Sequence, residues 1–298
     1  MTMQELNPGL QARVLDQSDV RRLLPARDPY AHKGDFGRVL LLCGSMGYTG
    51  AAALAARAAL RCGSGLVTVL VPQAVYLIVA SKLDEAMVHP VACDGGGRVC
   101  QKARDAIHAH LAASDCGLIG PGLGRSGELT ALLSYLVEKS DQPLVLDADG
   151  LNAFAGHIDV LRRAVCPVIL TPHDGEFARL MPDVPLPRED LTARCMAAKR
   201  LAAESGCIVL LKGHRTVVTD GKTLYVNQTG NPGMATGGSG DVLGGIIVSL
   251  LGQGVEPLEA AALGAYLHGA AGDLCEQELG QCGMLPGDMI AACARLLK

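Results

Sequence analysis

Arg38-Val39-Leu40-Leu41-Leu42-Cys43 runs into Gly44-Ser45-Met46-Gly47-Tyr48-Thr49-Gly50, then into an alanine-rich stretch over 51–62, and returns as an apolar run at 66–71. A strand-length apolar run, a glycine turn, a helical stretch stopped by Gly63-Ser64-Gly65 and a second apolar run make a βαβ unit. Such a unit implies a parallel sheet, whose two faces are buried under helices. The expected class is α/β, with a central, mostly parallel sheet and helices on both faces.

The pattern continues outward from that unit. Helices are expected at 75–82, 101–113, 128–139 and 191–204, and strands at 86–91, 116–120, 144–147, 168–171 and 208–212. Two shorter β segments, 216–219 and 223–226, are split by Asp220-Gly221, a strong hairpin signal. Three further helices are expected at 242–251, 258–278 and 286–297. No repeat or low-complexity linker interrupts the series, so 25–298 reads as one domain behind a polar N-terminal segment, 1–24.

Composition agrees with that class. Of 298 residues, 49% are hydrophobic but only 3% aromatic, with no Trp, so the core must be built from Ala, Leu, Val and Ile. A net charge of −4 gives no electrostatic case for nucleic acid or an anionic membrane. Eleven cysteines without a C-x-x-C pair argue for reduced thiols rather than a disulfide framework or a zinc site. No signal peptide is expected, since 1–22 has no continuous apolar core, and the apolar runs are too short or too interrupted to span a bilayer. The expected setting is the cytoplasm.

In an open α/β sheet, ligands gather at the carboxyl ends of the strands. One loop there stands out: Thr229-Gly230-Asn231-Pro232-Gly233-Met234-Ala235-Thr236-Gly237-Gly238-Ser239-Gly240-Asp241, directly before the apolar helix at 242–251. Glycines permit close approach to a ligand, and a helix N-terminus presents unsatisfied N–H groups and positive dipole to an anion. Asp241 sits where it could reach a hydroxyl beside a bound phosphate, although a first-turn carboxylate also stabilises a helix without any chemistry. At that position its pKa is expected to be low. No G-x-x-x-x-G-K-S/T pattern exists, so phosphate chemistry would need this different cradle.

Other strand-end loops offer partners. Gly122-Leu123-Gly124-Arg125-Ser126-Gly127, with Asp147 further on, spells a dinucleotide fingerprint, but several strands precede it where the fingerprint normally opens the fold. Its glycines still suit a ligand close to the backbone. Thr171-Pro172-His173-Asp174-Gly175-Glu176 places a histidine and two acids on one strand-to-helix loop, with spacing that matches no metal cage. Lys212-Gly213-His214-Arg215-Thr216 brings cations and a hydroxyl suited to phosphate or ribose, or forms a charged hairpin lead-in. Asp147-Ala148-Asp149-Gly150 either touches ligand or caps the next helix. His108 and His110 lie in a polar helix and are set aside.

Taken together and in order, His32-Lys33-Gly34-Asp35-Phe36-Gly37, Gly120-Pro121-Gly122-Leu123-Gly124, Leu146-Asp147-Ala148-Asp149, Ile169-Leu170-Thr171-Pro172-His173-Asp174-Gly175-Glu176, Val209-Leu210-Leu211-Lys212-Gly213 and Gly237-Gly238-Ser239-Gly240-Asp241 resemble the ADP/ATP-dependent NAD(P)H-hydrate dehydratase family. The resemblance covers roughly 25–297 and implies a ribokinase-like fold. It implies conversion of (6S)-NADHX or NADPHX to NADH or NADPH, with ADP (or ATP) as co-substrate and Mg²⁺. Carried over by position, Ala52, Gly122, Gly124, His173 and Asp241 would contact the hydrate, with Asp241 catalytic. Lys212, Gly213, His214, Arg215, Thr216 and Gly240 would hold the nucleotide. Gly238, Ser239 and Gly240 would form the anion hole, Ser239 standing where the family often has Thr. Many bacterial members carry an epimerase domain in front; the short polar head here implies its absence. A homotetramer is the implied assembly. The alternative is a ribokinase-like kinase acting on a vitamin-precursor alcohol, and a nucleotide-binding module without turnover is a third reading.

Overall fold

The computed structural model describes residues 10–297. Nine strands form one sheet: β1 (Arg38–Leu42), β2 (Leu66–Pro72), β3 (Met87–Val91), β4 (Cys116–Ile119), β5 (Leu144–Leu146), β6 (Val168–Leu170), β7 (Ile208–Leu211), β8 (Val217–Thr219) and β9 (Leu224–Val226). Their spatial order is β3-β2-β1-β4-β5-β6-β7-β8-β9. Pairing is parallel through β7, and β8 and β9 add an antiparallel ribbon. The Asp220-Gly221 hairpin forms as expected, closed by Lys222 and Thr223 N–H donating to the Asp220 carboxylate at 2.9 and 2.7 Å.

Alternation along the strands divides the core in two. Val39, Leu41, Val67, Val69, Val145, Ile169 and Leu210 point to one face, under helices Thr49–Arg61, Ser239–Gly252, Pro257–Gly283 and Pro286–Leu296. Leu40, Leu42, Leu70, Leu144, Leu146, Val168, Leu170 and Val209 point to the other, under Arg104–Ala112, Leu129–Lys139 and Leu191–Ser205. A strand's period of two makes this split automatic. With few aromatics, the first layer gains density from small residues: Gly245 packs so close to Ala55 that a Cβ there would overlap the Ala55 carbonyl.

Several boundaries differ from the expected ones. The helix expected at 75–82 forms only over Tyr76–Ala80, and that expected at 101–113 opens with a 3-10 turn, Gln101–Ala103. The helix expected to begin at 242 begins at Ser239, so Asp241 lies inside its first turn. The helix expected at 258–278 runs over Pro257–Gly283, broken at Gly280, where φ is 70°. Residues 10–24 pack onto the domain: Arg13 bridges Tyr225 beside β9, and Val20 is buried. Residues 1–9 of the polar head lie outside the described residues.

All eleven cysteines are free thiols. No helix among the described residues is long and apolar enough to cross a membrane.

Candidate active site

The sheet order reverses direction between β1 and β4: β2 and β3 lie to one side, β4 onward to the other. Loops leaving neighbouring strands diverge at such a point and leave a crevice. Here an open cleft of about 650 Å³ is lined by Ser45, Met46 and Tyr48 after β1, Gly124 and Arg125 after β4, Asp149 after β5, and Gly96 and Arg98. Ser45 Oγ donates to the Gly122 carbonyl at 2.7 Å, and Gly124 N–H donates to Asp149 Oδ2 at 2.8 Å, which fixes the glycine loop. Gly122 and Gly124 have φ of 65° and 74°, and a Cβ on Gly122 would meet Tyr48 Cβ at 2.8 Å. Glycine is required there by both conformation and space.

Strand register brings the charged residues to the same sheet end. Leu146 is aligned with Leu170, and Leu170 with Val209, so Asp147, Thr171 and Lys212 emerge within one or two residues of a common edge. Lys212 Nζ donates to Asp147 Oδ1 at 2.8 Å and lies 3.7 Å from Glu176 Oε2. Thr171 Oγ1 donates to the same Asp147 oxygen at 2.7 Å. The Asp147 and Glu176 side chains are only 3% and 6% exposed. Burial works to lower the Lys212 pKa, but Asp147, Glu176 and Asp241 outweigh it and leave it raised.

The glycine loop closes over this pair. A methyl group on Gly240 would sit 3.5 Å from Lys212 Nζ and 3.8 Å from Asp147 Oδ2. Gly238, at φ 98°, caps the helix, and its N–H and that of Gly240 make no hydrogen bond to a backbone carbonyl among the described residues. Ser239 N–H, by contrast, turns back to the Thr236 carbonyl at 3.3 Å. Gly238 and Gly240 are therefore among the free donors of the loop.

Asp241 departs from expectation. Its carboxyl is pushed up to about 7, first by burial and then by the negative charge of Asp147, with Lys212 opposing. The helix dipole, which suggested a low value, loses to removal from water. A carboxylate near neutrality is a competent general base. Cys43, just past β1, feels both Asp241 and Asp147, which ties this corner to the loop that opens the cleft.

His173 has a structural task as well as any other. It caps helix Asp174–Leu180: Nδ1 accepts from Gly175 and Glu176 N–H at 2.9 and 3.3 Å. That fixes the tautomer, with the proton on Nε2, 3.4 Å from Glu176 Oε1. Lys212, Gly213 and Thr216 form a compact turn in which Thr216 Oγ1 donates to the Gly213 carbonyl at 3.1 Å, and His214 is exposed at its tip. Arg215 has φ 59°. Ala52 is fully buried in the first turn of its helix, its Cβ facing Gly44, and is not brought to the cleft surface.

Sequence reading missed three residues. Thr171 was placed in the right loop without its contact to Asp147. His268 Nε2 lies 3.3 Å from Ser239 Oγ, and burial holds its pKa down to about 4, so it stays neutral beside the cradle. Arg194 is buried behind the Lys212 turn. Nothing local to these side chains marks them; an isolated His or Arg on a helix face carries no signal.

Among the described residues, no three His, Cys, Asp or Glu side chains are arranged to hold a metal ion. An ammonium, Lys212, occupies the place between Asp147 and Glu176.

A family model described as NAD(P)H-hydrate dehydratase matches residues 39–295. The chain belongs to that family. The ADP-dependent (S)-NAD(P)H-hydrate dehydratase of Neisseria meningitidis serogroup B is 42% identical over 298 residues, spanning 97% of this chain and 95% of that one. Among solved structures, a ribokinase-like superfamily protein of Enterococcus faecalis superposes with a TM-score of 0.80 at 28% identity, over 96% of this chain and 95% of that one. The ADP/ATP-dependent NAD(P)H-hydrate dehydratase of Bacillus subtilis, co-crystallised with ATP/Mg²⁺, gives 0.78 at 31% identity over 94% and 96%. The chain spans about half the length of several curated relatives it matches, which are bifunctional NAD(P)H-hydrate repair enzymes. The NAD(P)H-hydrate dehydratase fold is thus ribokinase-like, as the strand-end motifs implied.

Proposed function

We propose that the protein dehydrates (6S)-NADHX and NADPHX, using ADP and releasing AMP and phosphate. The observation that carries this reading is the convergence of Gly240, Lys212 and Asp241 at one helix N-terminus. The match to the meningococcal dehydratase along nearly its whole length supports the choice of substrate.

The hydrate would lie along the cleft, its C6 hydroxyl at Asp241, with Gly122, Gly124 and His173 beside it. The adenine nucleotide would rest on the 212–216 turn and Gly240. Asp241 takes the hydroxyl proton as the C6 oxygen bonds to the terminal phosphorus and AMP leaves. Gly238 and Gly240 N–H groups and Lys212 stabilise charge on the phosphoryl oxygens. The ring nitrogen lone pair then expels phosphate from C6, and loss of a C5 proton restores the dihydropyridine double bond. Magnesium would arrive on the nucleotide's phosphates, and no step depends on a protein-held ion.

Incubation of purified protein with NADHX and ADP tests this. Recovery of the dihydropyridine absorbance together with free phosphate is expected. A stable phosphorylated organic product from an alcohol substrate, without that recovery, would establish the kinase alternative instead. A cytoplasmic homotetramer is part of the same proposal.

A further inference from the structure

Arg194, on helix Leu191–Ser205, is only 3% exposed. Its Nη1 donates to Asp174 Oδ1 at 2.9 Å and its Nη2 donates to the Lys212 carbonyl at 2.8 Å, whereas its Nε has no partner. Asp174 opens the helix capped by His173, and Lys212 opens the turn over 212–216. A single guanidinium therefore spans the two loops on which the site depends. Gly213 is matched to it: with φ 149°, a Cβ there would stand 2.7 Å from Nη2, so any side chain would push the guanidinium off the carbonyl.

Packing alone does not explain this arrangement. A buried guanidinium must be fully paired to avoid a desolvation penalty, and an unsatisfied donor costs about 1–3 kcal/mol. A leucine or methionine would fill the volume without that cost. What an apolar residue cannot do is hold the Lys212–Gly213 peptide at a fixed angle relative to the His173 loop. We infer that Arg194 is a positioning residue that keeps the 212–216 turn in its nucleotide-binding shape and couples it to the His173 loop. This rests on the assignment of that turn to ADP made above.

The test uses Arg194→Met, which keeps the stem, Arg194→Lys, which keeps a charge but cannot hold both acceptors, and Asp174→Asn, which loosens the far anchor together with the exposed Arg188 contact to Asp174 at 3.5 Å. ADP binding to the free protein is read by titration calorimetry, beside kcat and both KM values. Expected are roughly tenfold weaker ADP binding in Arg194→Met, partial rescue by Arg194→Lys, and a smaller loss in Asp174→Asn, with kcat at saturating ADP nearly kept. ADP affinity at the wild-type value in a folded Arg194→Met or Arg194→Lys protein, whatever its melting temperature, overturns the inference. If wild-type protein binds ADP but does not restore NADH, the proposed function fails while the same titrations still decide the role of Arg194.

Discussion

Lys212 Nζ donates at 2.8 Å to Asp147 Oδ1, a bond between residues 65 positions apart, in a corner where Asp147 is 3% exposed. The pair does two things at once. It neutralises a buried carboxylate, and it places a fixed cation next to Gly240 in the glycine loop. Burial and then Asp147 raise the Asp241 carboxyl while Lys212 opposes them, so Asp241 and the cation share one electrostatic unit. Three expectations follow from that geometry, and a fourth from the His173 cap.

Asp241→Asn should abolish dehydration while leaving ADP affinity within about threefold, because the proposed reaction uses the side chain at the hydroxyl and not at the nucleotide. It should also stabilise the fold. A carboxyl whose folded pKa, about 7, exceeds the usual 3.8 opposes folding increasingly as pH rises between those values, and fully above 7. Removing it should therefore add on the order of 4 kcal/mol at pH 8 and close to nothing near pH 3. Melting temperatures at the two pH values check the sign.

The pH dependence of kcat/KM for the hydrate should fall below about 7 with unit slope as Asp241 gains its proton. Asp147→Asn removes the neighbouring negative charge and should move that limb to lower pH. A limb that stays in place would assign it to another group.

Lys212→Met leaves Asp147 and Glu176 buried without their cation. A loss of about 3 kcal/mol or more at neutral pH is expected. Urea unfolding at neutral pH measures it, and ADP binding should be lost alongside.

His173→Asn separates two roles. Asparagine is a good N-cap, so helix Asp174–Leu180 should keep its stability to within about 0.5 kcal/mol. The Nε2 donor is gone, so KM for the hydrate should rise about tenfold with KM for ADP unchanged. Equal hydrate KM in His173→Asn and wild type would confine His173 to capping.

Much of this protein was legible as sequence because its rules are local. The apolar runs, Gly63-Ser64-Gly65 and Asp220-Gly221 specified strands, stops and a hairpin through backbone preferences that need no distant partner. The Gly237–Asp241 cradle could be read because glycines, a helix start and a carboxylate are neighbours in the chain. Three things were decided only by the tertiary structure. The register that sets Asp147, Thr171 and Lys212 side by side depends on which strands pair. The upward shift of Asp241 depends on burial and on a carboxylate 94 residues earlier, and it reverses what the local helix dipole suggests. The Arg194 bridge depends on a helix face meeting two loops at once. Chain-local preferences determine elements and their turns; charge environments and cross-loop ties arise from contacts that exist only after the sheet has closed.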